Sequence, residues 1–197
     1  MTTFDVLDWR RQTHAVYAAV RSEPEVASAH AMWIRRRDEL LMTHPASPVP
    51  HADREGFAGA DVPTYDGAFR FVAPLEPATD PETRGVNTGT DGVVRFERVG
   101  IVDLPDVGTL DVWWLLGYGG GLFVPIRDSD PRSYGGGRYV IDTVKGADLG
   151  GDERSLIVDL NFAYQPSCAY DPAWACPLAG AGNTVATAVP VGEKYRK

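Results

Sequence analysis

Apolar or bulky residues at Val6, Trp9, Thr13, Val16 and Val20 step by three and four, the spacing that lines one face of a helix. A first helix is expected from Asp5 to Arg21. Ser22 followed by Glu25 has the form of a capping box, with Pro24 in the first turn, and Val26, His30, Trp33, Arg37, Leu40 and Leu41 then recur at helical period. A second helix is expected from Pro24 to Met42. The following THPASPVPH cannot continue a helix, because its three prolines lack an amide hydrogen. It is a connector, and a short helical turn is expected at Ala52 to Phe57.

From Tyr65 the period changes from 3.6 to 2, with Phe69, Phe71 and Ala73 alternating against polar partners. Further strands are expected at 84–88, 93–102, 109–118, 122–126, 138–143, 155–161 and 185–191. Turn signals such as Thr90-Asp91-Gly92, Pro105-Asp106 and Gly150-Gly151 separate some of them, and the intervals are too short for parallel crossovers. The expected fold is α+β, with N-terminal helices packed on a mainly antiparallel β-sandwich or partly open β-barrel. Residues 1–50 form the helical segment and 51–197 the mainly-β domain of one globular unit.

Composition narrows the partners. With 27 acids against 19 bases the net charge is −8, which repels a phosphate backbone, so nucleic acid is not expected. No apolar run approaches the ~20 residues that span a bilayer, and Asp5 and Asp8 interrupt any signal-like start. No membrane association is expected, and the setting is expected to be cytoplasmic. Cys168 and Cys176 are too few for a disulfide framework.

Known chemistries find little support. LLGYGGGLF (115–123) and SYGGGRY (133–139) lack the spacing of phosphate-binding loops. His14, His30, His44 and His51 lie in the N-terminal quarter without ligand spacing, so no metal site is expected, and no nucleophile elbow or cofactor motif occurs. Whether the chain is an enzyme stays open.

The segment 159–180 is the least ordinary, packing aromatics, both cysteines and three prolines into one long loop, and such loops usually carry a function or are tied down. The two cysteines fit a buried structural pair or a disulfide, with a redox or ligand-contacting thiol as the other possibility. RDSDPRSYGGGRYV (127–140) and VDLNFAYQPSCAYDPAWACPL (158–178), with RRRDELLMTHPASPVP (35–50) upstream, resemble the uncharacterised prokaryotic family catalogued as domain of unknown function 1684. The resemblance implies no activity. It marks the neighbourhoods of Arg127, Tyr134, Arg138 and Cys168 as a signature, and Gln165 stands where that family's pattern has Asn.

Two functions fit. One is a small anionic-ligand site, binding or catalytic, at the Gly-rich/Arg segment and the Cys/Tyr loop. There Arg127 and Arg138 would hold the anion, Tyr134, Tyr164 and Tyr170 would line the wall, Asp128 or Asp159 would act as acceptor or base, and Asn161 and Cys168 would complete the surroundings. Alternatively Arg138 and Asp159 form a buried ion pair between strands. The other function is a structural or protein-partner-binding module without catalysis, docking through Trp174 and whichever of Trp113 and Trp114 faces outward.

Overall fold

The computed structural model describes residues 1–88 and 92–196. Two helices open the chain, α1 (Thr3–Ser22) and α2 (Val26–Thr43). The capping box predicted for the second helix is instead found on the first, where Thr2 and Asp5 exchange bonds. Ser22 turns its hydroxyl back to the Ala18 carbonyl, and the Glu25 side chain caps α2 by accepting from the Ala27 and Ser28 amides. A carboxylate bearing two acceptors at the positive end of the helix serves where the hydroxyl was expected.

Among the described residues seven strands follow: β1 (Arg70–Pro77), β2 (Thr83–Thr88), β3 (Gly92–Leu104), β4 (Gly108–Leu116), β5 (Leu122–Ile126), β6 (Arg138–Asp142) and β7 (Ser155–Asp159). All pairs are antiparallel, in the order β6-β5-β4-β3-β1-β7. β2 lies end to end with β1 along the same side of β3, pairing its first half while β1 pairs residues 100–102. The register of β3 on β4 shifts between Arg98 and Gly100, a bulge that bends the sheet. Gly100 is required there, because a Cβ would sit 2.5 Å from the Glu76 carbonyl oxygen of β1. The chain beyond β7 returns to β6, where Tyr139 and Tyr164 exchange backbone bonds of 2.8 and 2.9 Å. The sheet therefore curls into a half-barrel, and the α+β expectation holds.

The turn expected at Thr90-Asp91-Gly92 lies outside the described residues apart from Gly92. The strand expected at 185–191 is not formed. Val185, Val189 and Val191 are buried in the main core, but the carbonyls of Val189 and Val191 accept hydrogen bonds from Arg138 and Lys194 side chains rather than from a neighbouring strand. Pro190 between them has no amide to give a ladder.

Both faces of the sheet are apolar around β4 to β6, as neighbouring residues show. Val112, Val124 and Val140 enter the main core, whereas Trp113, Phe123 and Tyr139 join Phe96 in a second cluster. The helices cover a third cluster. Val16, Tyr17 and Val20 of α1 and Trp33 and Leu40 of α2 close over Ala147, Leu149 and Phe162. Trp33 meets Phe162 edge-on at 5.3 Å, and His30 reaches the Asn161 carbonyl at 3.0 Å. Burying one indole this fully contributes on the order of 2–3 kcal/mol, so this contact fixes the helices on the sheet. No helix among the described residues is long and apolar enough to cross a membrane.

Candidate functional site

Arg138 is wholly buried. Its Nη2 donates to Asp128 at 2.8 Å and to the Val189 carbonyl, and its Nη1 donates to Val191 and Glu193 carbonyls. Asp128 also accepts from the Asp130 and Val189 amides and the Ser133 hydroxyl. Beside this pair Lys194, equally buried, donates to Asp130 at 3.0 Å. Burial opposes ionisation of Asp130, but the Arg132 amide, the Lys194 ammonium and the Arg132 guanidinium outweigh it and pull the carboxyl down to about 2. Burial, and then Arg138 beside it, pull the Lys194 ammonium below its usual value. This cluster stitches the C-terminal segment to β6.

Asp159 is not the partner of Arg138. It is wholly buried and receives Arg70 at 3.2 Å, the Tyr65 hydroxyl at 3.1 Å and the Asn161 side-chain amide at 2.8 Å. Asn161 clips the Asp66 backbone by accepting from its amide and donating to its carbonyl. Both residues are occupied in holding the chain before β1 to the end of β7. Arg127 is exposed and bridges Thr184 through its backbone. Two of the three glycines, Gly136 and Gly137, are required by packing. A Cβ on Gly137, whose φ is +90°, would lie 2.7 Å from the Ile126 carbonyl oxygen, and one on Gly136 would enter the Tyr134 ring.

Cys168 is half-buried and accepts from the Tyr134 hydroxyl at 3.8 Å. Burial and then the neighbouring Cys176 push its thiol up to about 11. Tyr170 donates to Glu193, and both meet Arg37, whose Nη2 lies 2.8 Å from the Glu193 carboxylate and 3.3 Å from the phenol oxygen. Of the adjacent indoles, Trp113 is buried and Trp114 is 40% exposed, and Trp174 is half-buried.

A pocket of about 70 Å³ opens in the seam between the helices and the half-barrel. Tyr17 and Arg37 come to it from the helices, Tyr139 from β6, Lys145 from the turn after β6, and Tyr164 and Gln165 from the long loop. Arg37 lies over the Tyr164 ring at 4.9 Å. Burial works against its charge, but Glu193 keeps it protonated and raises its pKa. Lys145 is likewise opposed by burial and raised by Asp142, 3.2 Å away, while its side chain stays 45% exposed. The Tyr17 hydroxyl and the Gln165 side-chain carbonyl are both buried without hydrogen-bond partners. The Trp33 indole lies near enough to Tyr17 to favour its ionised form without completing a bond, and burial leaves the phenol's pKa raised.

Of the residues expected from the sequence, only Tyr164 lines this pocket. Arg138, Asp128, Asp159 and Asn161 are brought into two internal clusters, and Tyr134 and Cys168 into a third. Tyr170 reaches the pocket only through Arg37. Arg37 had a visible signal, a cation on the apolar stripe of α2 between Trp33 and Leu40. Nothing local in the sequence marks Tyr17 or Lys145.

The model of the family described as protein of unknown function (DUF1684) matches residues 55–194. No curated protein matches. Among solved structures, the chain is similar to an uncharacterized protein of Haloarcula marismortui determined by solution NMR, at 30% identity and a TM-score of 0.58, covering 82% of this chain and 89% of that one. The family match thus begins after the two helices and runs through both internal ion clusters to Lys194, and on it the chain belongs to the DUF1684 family.

Proposed function

We propose that the protein binds a small anion in the seam pocket, not at the Gly-rich segment. One observation carries this: the described residues lining the pocket include Arg37 and Lys145 and no carboxylate, because the counter-ions Glu193 and Asp142 stand behind them. The unpartnered Tyr17 hydroxyl adds a buried donor that an occupant would satisfy. Arg138 cannot serve this purpose, because its terminal nitrogens are consumed by Asp128 and backbone carbonyls.

The size of the pocket limits the ligand. A water needs about 10–15 Å³ by such a measure, so the space suits on the order of five non-hydrogen atoms. Inorganic oxyanions and short-chain carboxylates fit. The unpartnered Gln165 carbonyl favours among them an anion carrying an O–H or N–H donor, such as a hydroxy acid.

A thermal-shift screen with phosphate, sulfate, acetate, glycolate and lactate tests this on the wild type and on Lys145→Met. A ligand at 100 times its Kd adds about 2.7 kcal/mol, or about 5–10 °C for a chain of this length. Stabilisation of the wild type that is weakened in Lys145→Met supports the pocket. No stabilisation by any of the five at millimolar concentration removes the proposal.

A further inference from the structure

The thiols of Cys168 and Cys176 form a second chemical centre, which the anion pocket does not use. Cys168 sits in a tight turn at Ser167–Ala169, and the chain continues to reverse through bonds from the Asp171 amide to Ser167 and from the Trp174 amide to Asp171. The reversal returns Cys176 toward Cys168, near enough for its charge to act on the Cys168 thiol. The surroundings hold both sulfurs in place. The Tyr134 hydroxyl donates to Cys168 at 3.8 Å, and the Tyr139 hydroxyl donates to the carbonyl of Pro177, the residue after Cys176, at 2.7 Å. The Ala179 amide then ties the end of the loop to Gly136. Both thiols are only half-buried, and the Lys145 ammonium is close enough to Cys176 to sense its charge.

Two inert structural cysteines would be sealed in apolar surroundings. These lie in one tied-down loop beside phenol hydroxyls and keep partial access to solvent, so that an oxidant can reach them. We propose that Cys168 and Cys176 are a redox-active pair that closes reversibly to an intramolecular disulfide when the protein meets a peroxide.

The chemistry balances within the pair. The Cys176 sulfur attacks one peroxide oxygen, the O–O bond breaks, and the departing hydroxide takes up the thiol proton as water. The resulting sulfenic acid is attacked by the Cys168 sulfur, forming the S–S bond and releasing a second water that carries the remaining proton. Two thiols lose two electrons, and the peroxide is reduced to two waters. Cys168, which holds its proton through neutral pH, is the thiol that resolves the sulfenic acid.

The test uses the full reduced chain treated with hydrogen peroxide, followed by free-thiol titration and intact mass without reductant. The expected result is loss of both thiols, a mass lower by two hydrogens, a peptide linking residues 168 and 176, and full recovery with dithiothreitol. In Cys168→Ser the reaction is expected to stop at a sulfenic acid that dimedone traps on Cys176. Retention of both thiols, addition of oxygen without cross-linking, or bonds only between separate chains would each overturn the proposal. The wild-type result stands even if a cysteine variant folds poorly, and it is independent of whether the pocket binds an anion.

Discussion

Arg138 and Asp128 meet at 2.8 Å with neither side chain exposed to solvent, ten residues apart in sequence and on opposite sides of the glycine triplet. A buried pair of this kind is fragile to one-sided change, because the charge left behind has no water to solvate it. Arg138→Met is therefore expected to lower unfolding stability by about 3–5 kcal/mol. Adding Asp128→Asn should recover part of that loss, since it removes the stranded charge and keeps an oxygen for the Asp130 and Val189 amides. Urea denaturation of the single and double variants decides it. A double variant weaker than Arg138→Met would contradict this account.

Asp130 sets a pH dependence of defined sign. Its folded value of about 2 lies below the ordinary 3.8, so its ionised form stabilises the fold above pH 3.8. That contribution, about 2 kcal/mol, is lost as pH falls from 3.8 through 2. Asp130→Asn cannot show it. Between pH 5 and pH 2 the wild type should lose about 2 kcal/mol more than the variant, measured by urea unfolding at each pH. Equal losses would mean that the Lys194 and Arg132 contacts do not shift the carboxylate.

The two helices and the strands up to β7 were legible because each depends on local periodicity. Apart from the helix cap, the errors come from long-range polar contacts. Residues 185–191 have the valines of a strand, yet their carbonyls are taken by Arg138 and Lys194, whose positions no local pattern discloses. Arg138 was identifiable as unusual, but the carboxylate that the ion-pair alternative gave it was Asp159, and the structure brings Asp128 instead. Arg37 stood out on an apolar stripe, and its counter-ion Glu193 lies 156 residues away. A pocket whose walls come from residues 9 to 167 is a product of assembly.

Asn183 gives a third expectation. It is wholly buried, accepts from the Trp113 indole at 2.8 Å, and donates to the Asp111 and Pro125 carbonyls at 2.9 Å each. Asn183→Ala strands an indole N–H and removes a donor from two carbonyls. At about 1–3 kcal/mol for each buried group left unpaired, a total loss of at least about 3 kcal/mol is expected. Asn183→Asp should also be destabilising, since a carboxylate can accept from Trp113 but cannot donate to either carbonyl. Chemical denaturation measures both, and a loss below about 1 kcal/mol for Asn183→Ala would show that the network relaxes around the gap.

Tyr17 separates stability from binding. Its hydroxyl is buried without a partner, and such a group costs the folded state about 1–3 kcal/mol relative to an apolar replacement of the same shape. Tyr17→Phe should therefore leave stability unchanged or raise it by about 1 kcal/mol. If a small anion fills the pocket, the same change removes a donor to it, and affinity should fall about tenfold, the equivalent of about 1.4 kcal/mol. Thermal denaturation with and without ligand reads both effects from one pair of proteins. A variant that is more stable alone yet less stabilised by the ligand would identify the hydroxyl as kept for binding. A variant destabilised by more than about 1 kcal/mol would mean that the Trp33 indole or an ordered water already satisfies it, and the case for an occupant would then rest on Arg37 and Lys145.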